Sequence, residues 1–84
     1  MGINTKAVED SVVDEQYYVF PGTTMTVCCL TVKLPTGTAN AVGHSDCIDP
    51  DEFDVEKGRL VARKRAMDSV FGMLGTYVKL GGTL

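Results

Sequence analysis

Gly43-His44-Ser45-Asp46-Cys47-Ile48-Asp49-Pro50-Asp51-Glu52-Phe53-Asp54 is the stretch at which a strand gives way to a helix. Asp49 places a capping acid before Pro50, whose fixed φ suits the first helical position, and Glu52 completes the signal three residues after Asp49. Asp54 offers a second cap. The pattern therefore predicts a short helical turn, a kink, and a longer helix, with Phe53 pinning the corner into the core. Beyond the corner, Leu60, Met67, Val70, Phe71, Leu74, Tyr77 and Val78 follow the amphipathic helix period. Gly58, Gly72 and Gly75 interrupt it, each at a cost of about 1 kcal/mol relative to alanine. They read as positions of close packing, and Gly81-Gly82 ends the pattern.

Upstream of the corner the period changes from helix to strand. Residues 39–45 alternate weakly and Pro35-Thr36-Gly37-Thr38 reads as a turn. Residues 25–34 form the strongest strand signal, with Cys28, Leu30, Val32 and Leu34 on one face and Met25, Val27, Cys29, Thr31 and Lys33 on the other. Both faces are largely apolar, which predicts a central strand covered on two sides. Pro21-Gly22-Thr23-Thr24 is a second turn, and Gln16-Tyr17-Tyr18-Val19-Phe20 a further strand. At the N-terminus, Asn4 or Thr5 caps a short helix running to about Glu15, with Ala7, Val8, Ser11 and Val12 at helical spacing. The expected fold is α+β, one domain over 1–84. It comprises a helical arm (1–15), an antiparallel meander of about three strands (16–46) and a C-terminal helical region (49–79).

Eighty-four residues make a single, marginal core, which together with a sheet apolar on both faces predicts a homo-oligomer. At 44% hydrophobic the chain is too apolar for disorder, and no apolar run approaches the ~18 residues a bilayer span needs. The first fifteen residues carry acids and lack the basic-then-apolar order of a secretory signal, so a cytoplasm is the expected location. A net charge of −3 opposes duplex DNA, whose binding is driven by phosphate neutralisation. Three cysteines, two adjacent and none in a CxxC, read as reduced, buried thiols rather than disulfides or zinc ligands.

Charge is uneven along the chain. Residues 46–54 hold five acids and no base, and residues 57–65 five bases and no acid. Arg59 and Arg63 lie four apart, on one face of a helix whose start favours anions, and can clamp phosphates. Tyr17, Tyr18 or Phe20 would supply a surface on which a base stacks. The plainer reading pairs both arginines with Asp54, Glu56 or Asp68 on a solvated face, and the residues alone favour it. His44 beside Ser45 or Cys47 suggests a nucleophile pair, but no third group positions it, and strand neighbours point apart. No enzyme is expected. Pro50 and the missing glycine and terminal glutamate break a calcium-loop spacing, so neither metal nor cofactor is expected.

Three ordered motifs carry a resemblance. They are Tyr18-x-Phe20-Pro21-Gly22-Thr23-Thr24-x-Thr26-Val27-Cys28-x-Leu30-Thr31, then Gly43-x-Ser45-x-Cys47-x-Asp49-Pro50-x-x-Phe53-Asp54-x-x-x-Gly58-x-x-x-Ala62-x-x-x-Ala66, then Phe71 with Leu74-Gly75-x-Tyr77. Together they resemble the small phage proteins of the gene-product-forty-nine-like family. His44 stands where that family has an acid, Phe71 where it has tryptophan, and Pro35-Thr36-Gly37-Thr38 where it has an Asn-Gly-aromatic turn. The chain is also similar to the first type of Thoeris anti-defence proteins, which sequester cyclic nucleotide signals in pockets of an oligomer. That resemblance implies a non-catalytic sponge in the host cytoplasm for a cyclic oligonucleotide or a cyclic ADP-ribose-like ligand. It implies Arg59 and Arg63 as ligand contacts, and Tyr18, Phe20, His44 and Ser45 complete the candidate set. The alternative is a phage accessory protein that binds a host protein and takes no small ligand.

Overall fold

The computed structural model describes residues 5–83. The order is α1 (Thr5–Ser11), β1 (Val12–Val19), β2 (Thr26–Leu34), β3 (Gly37–Ser45), a 3-10 turn (Pro50–Glu52) and α2 (Val55–Lys79). The strands form one antiparallel sheet in the order β1-β2-β3, with α2 across one face. The fold is α+β, as the sequence predicts.

Burial follows the strand period. Thr26, Cys28, Leu30 and Val32 are fully buried, and they meet the Ala62, Ala66, Met67, Val70 and Leu74 stripe of α2. Val8 of α1 closes the end of this core. Burial of each large aliphatic side chain stabilises by about 1.5–3 kcal/mol. The stripe is set by small residues because α2 lies against the backbone of β3. A Cβ added to Gly43 would collide with the carbonyl oxygen of Ala62 and the amide nitrogen of Ala66. The Ser45 hydroxyl donates to Gly58 O at 2.8 Å, the Arg65 guanidinium to His44 O at 2.9 Å, and the Ser69 hydroxyl to Val42 O at 3.1 Å. The helix thereby occupies carbonyls along the outer edge of β3, an edge otherwise open to pairing.

Both caps of the corner form. The Asp49 side chain accepts from Asp51 N at 3.0 Å, and Asp54 Oδ1 accepts from Glu56 N at 2.9 Å and Lys57 N at 3.3 Å. Asp54→Ala is expected to cost about 1 kcal/mol of stability. In a domain of this size that lowers the melting temperature by roughly 4–8 °C, read by circular dichroism. The opposite sign is expected at Thr26, whose buried hydroxyl has no hydrogen-bond partner among the described residues. Thr26→Val keeps the shape and removes an unpaired polar group worth about 1–3 kcal/mol, so the melting temperature should rise.

Four expectations require correction. First, α1 ends at Ser11 and not near Glu15, because residues 12–15 join the sheet with Val12 opposite Val32 and Glu15 opposite Leu30. Pairing with β2 outweighs a short helix's weak propensity, and a register shift between Val12 and Asp14 leaves a bulge at Val13. Asn4, one of the two expected caps of α1, lies outside the described residues. Second, β2 is covered on one face only, and Val27, Cys29 and Thr31 on the reverse are half-buried. Third, Leu60 and Val78 are 70% and 41% exposed, so the apolar stripe of α2 runs through its alanines instead. Fourth, Gly72 faces open space, whereas a Cβ at Gly58 would sit 3.0 Å from Thr26 Oγ1. Of these two only Gly58 answers to close packing.

Candidate functional site

The first turns of α2 bring Arg59 and Arg63 over the near edge of β1. The covered face of that strand presents Glu15 and Tyr17, two residues apart and therefore on one side of the sheet. Arg59 Cζ lies 5.2 Å from the centroid of the Tyr17 ring, within cation–π range. Arg63 Nε lies 3.5 Å from Glu15 Oε2, and the Tyr17 hydroxyl donates to that same oxygen at 2.6 Å. The four side chains form one chain of contacts, Arg59–Tyr17–Glu15–Arg63. Neither arginine forms an ion pair with Asp54, Glu56 or Asp68 among the described residues. The partner of Arg63 comes from β1, 48 positions away in the sequence.

Electrostatics favour an anion here. Two guanidinium groups face one carboxylate, which leaves a positive surplus on an acidic protein. Burial and the bond to Glu15 hold the Tyr17 phenol well above its ordinary range, so it remains a donor. Burial also pushes up the Cys28 thiol, which sits opposite Tyr17 in the ladder and stays protonated. Because the Glu15–Arg63 pair is about two-fifths exposed on each side, it contributes at most about 1 kcal/mol to stability. A phosphate can displace such a carboxylate at little cost.

The remaining candidates lie elsewhere. Tyr18 and Phe20 project from the uncovered face, their rings edge to face with centroids 5.0 Å apart. His44 shares that face, paired with Val27, and with Phe20, Met25, Val27 and Val42 it lines a shallow groove of about 250 Å³. Ser45 turns the other way. It is 7% exposed, bonded to Gly58 O, and lines a cleft of about 340 Å³ between the corner and the start of α2. Lys57 and Arg65 also line this cleft, facing Asp46, Glu52 and Asp54. The structure thus separates the six candidates into three places. The two arginines meet Tyr17 and Glu15 of β1, the aromatic pair joins His44, and Ser45 anchors α2.

Glu15 is the functional candidate that sequence reasoning missed. Its role depends on α2 lying over β2 and β3, from where the Arg63 side chain reaches β1, and no local pattern signals that. Cys47 Sγ donates to Asp49 O at 3.0 Å, and His44 is exposed on the opposite face of its strand from Ser45. Among the described residues, no group of three His, Cys, Asp or Glu side chains is placed to hold a metal ion. No helix among them is long and apolar enough to cross a membrane.

A short antiparallel sheet packed under one capped helix defines a small α+β protein. The family follows from the sequence: the chain matches the phage protein (N4 Gp49/phage Sf6 gene 66) family over residues 3–80 and belongs to it. No curated protein and no solved structure matches the chain.

Proposed function

We propose that this phage protein sequesters a nucleotide-derived immune signal in the host cytoplasm, of the cyclic oligonucleotide or cyclic ADP-ribose type, and releases it unchanged. The observation that carries this reading is the placement of Arg59 on the Tyr17 ring and of Arg63 on Glu15, which the Tyr17 hydroxyl also binds. A ligand built of phosphates and bases calls for charged forks and an aromatic surface, and Arg59, Arg63 and Tyr17 supply both. Sequestration needs affinity alone.

Of the three aromatics foreseen as a stacking surface, Tyr17 is the one this reading uses, since Tyr18 and Phe20 lie across the sheet from the arginines; on the same reading His44 and Ser45 stand apart from the ligand. The test is a calorimetric and thermal-shift screen with cyclic di- and trinucleotides and cyclic ADP-ribose isomers. A stabilising shift is expected with at least one of them, and intact ligand should be recovered after heating the complex. No response at ligand concentrations well above micromolar sinks the proposal. That result would favour the second reading, a phage accessory protein that binds a host protein, for which the exposed Tyr18 and Phe20 speak.

A further inference from the structure

The uncovered sheet face has no role in the ligand reading, yet it concentrates exposed apolar side chains. Tyr18 is 55%, Phe20 42% and Val42 57% exposed, and Val27 and Cys29 lie half-buried between them. We infer that this face is a homodimer interface, in which the sheets of two copies of this chain pack against each other. The inference does not rest on the ligand proposal.

The first support is area. A compact 9.0 kDa monomer exposes roughly 4,900 Å². This chain exposes 5835 Å². The surplus is on the order of 1,000 Å², close to the ~800 Å² each partner buries in a standard interface.

The second support is what remains available. The outer edge of β3 is occupied by Arg65 and Ser69, and the edge strand β1 carries a bulge at Val13. Edge-to-edge pairing is therefore opposed at both sides of the sheet, and the flat face is left.

The third support is self-complementarity, which an isologous contact demands. The face holds a raised aromatic, Tyr18 on β1, and a groove of about 250 Å³ lined by Val42 and His44 of β3. A two-fold axis running along the strands sets β1 of one copy over β3 of the other, so each Tyr18 meets its partner's groove. Charge does not oppose this. The registered rows of the face carry one carboxylate, Asp14, bonded by Gln16, one ammonium, Lys33, and one imidazole, His44, four strand positions from Asp14 along the sheet. An acidic protein of net charge −3 thus offers itself a nearly neutral surface.

Size-exclusion chromatography with light scattering on the full chain tests the inference. The natural chain should run at twice its 9.0 kDa mass. Val42→Glu, at an exposed position, should halve that mass while far-ultraviolet circular dichroism stays unchanged. Tyr18→Lys provides a second disruption from the other strand. Val61→Glu, 41% exposed on α2, is the control and should leave the dimer intact. A monomer at high micromolar concentration overturns the inference. So does an assembly that survives both face variants, or a monomer that uses this face only for a host protein.

Discussion

Gly43→Ala is expected to unfold this protein at temperatures where the natural chain is intact. The added Cβ would meet the carbonyl oxygen of Ala62, the amide nitrogen of Ala66 and the carbonyl carbon of Arg65. All three belong to the backbone of α2, so no side chain can rotate away to relieve the clash. Overpacking usually costs about 1–3 kcal/mol, and a collision with rigid backbone belongs at the upper end. A loss of ~3 kcal/mol lowers the melting temperature by on the order of 15 °C in a domain of this length. The helix cannot move off to make room without also breaking the bonds from Ser45, Arg65 and Ser69 to their carbonyl partners. Gly72→Ala gives the comparison. Nothing lies within 4 Å of a Cβ there, and the site is inside α2. Alanine should gain up to about 1 kcal/mol in helix propensity, and the melting temperature should rise. Equal melting temperatures for the two variants would show that β3 and α2 are not in close contact.

The contrast between the two glycines also explains how much the sequence could reveal. The caps of the corner were legible, since Asp49 and Asp54 act on backbone groups two or three residues away. The strand order followed from the turns at residues 21–24 and 35–38, each too short for anything but antiparallel neighbours. Contacts between elements were less legible. Alanine is weak in any apolar periodicity, so Ala62 and Ala66 did not stand out from Leu60 as the buried stripe. A glycine's reason for being present lies in what faces it, which sequence spacing does not state. The candidate site divides in the same way. Arg59 and Arg63 share a helical face by spacing alone, but Tyr17 and Glu15 become their partners only because α2 lies over β2 and β3, within side-chain reach of β1. Tyr17, Tyr18 and Phe20 were equivalent as aromatics, and strand parity separated them once the register was known.

That parity makes the second large effect specific. Arg63→Ala should weaken binding of a cyclic nucleotide or cyclic ADP-ribose-like ligand by roughly 10- to 100-fold, the equivalent of losing a charge-assisted hydrogen bond worth about 1.5–3 kcal/mol. Its melting temperature should fall by no more than roughly 4–8 °C, because the bond it forfeits within the protein is an exposed pair worth at most about 1 kcal/mol. Arg59→Ala should behave alike, losing its contact with Tyr17. Glu15→Gln should do the reverse. It removes the only carboxylate in the cluster, keeps an acceptor for the Tyr17 hydroxyl, and releases Arg63 for the ligand. Affinity should then rise by up to about fivefold, the worth of the exposed ion pair that no longer competes. Isothermal titration against the ligand found by the screen, alongside thermal melts of the free proteins, separates the alternatives. Binding and stability that fall together in both arginine variants would mark them as structural. Affinity that drops on Glu15→Gln would mean that the carboxylate touches the ligand itself, and the displacement of Glu15 by phosphate would be wrong even if sequestration were right.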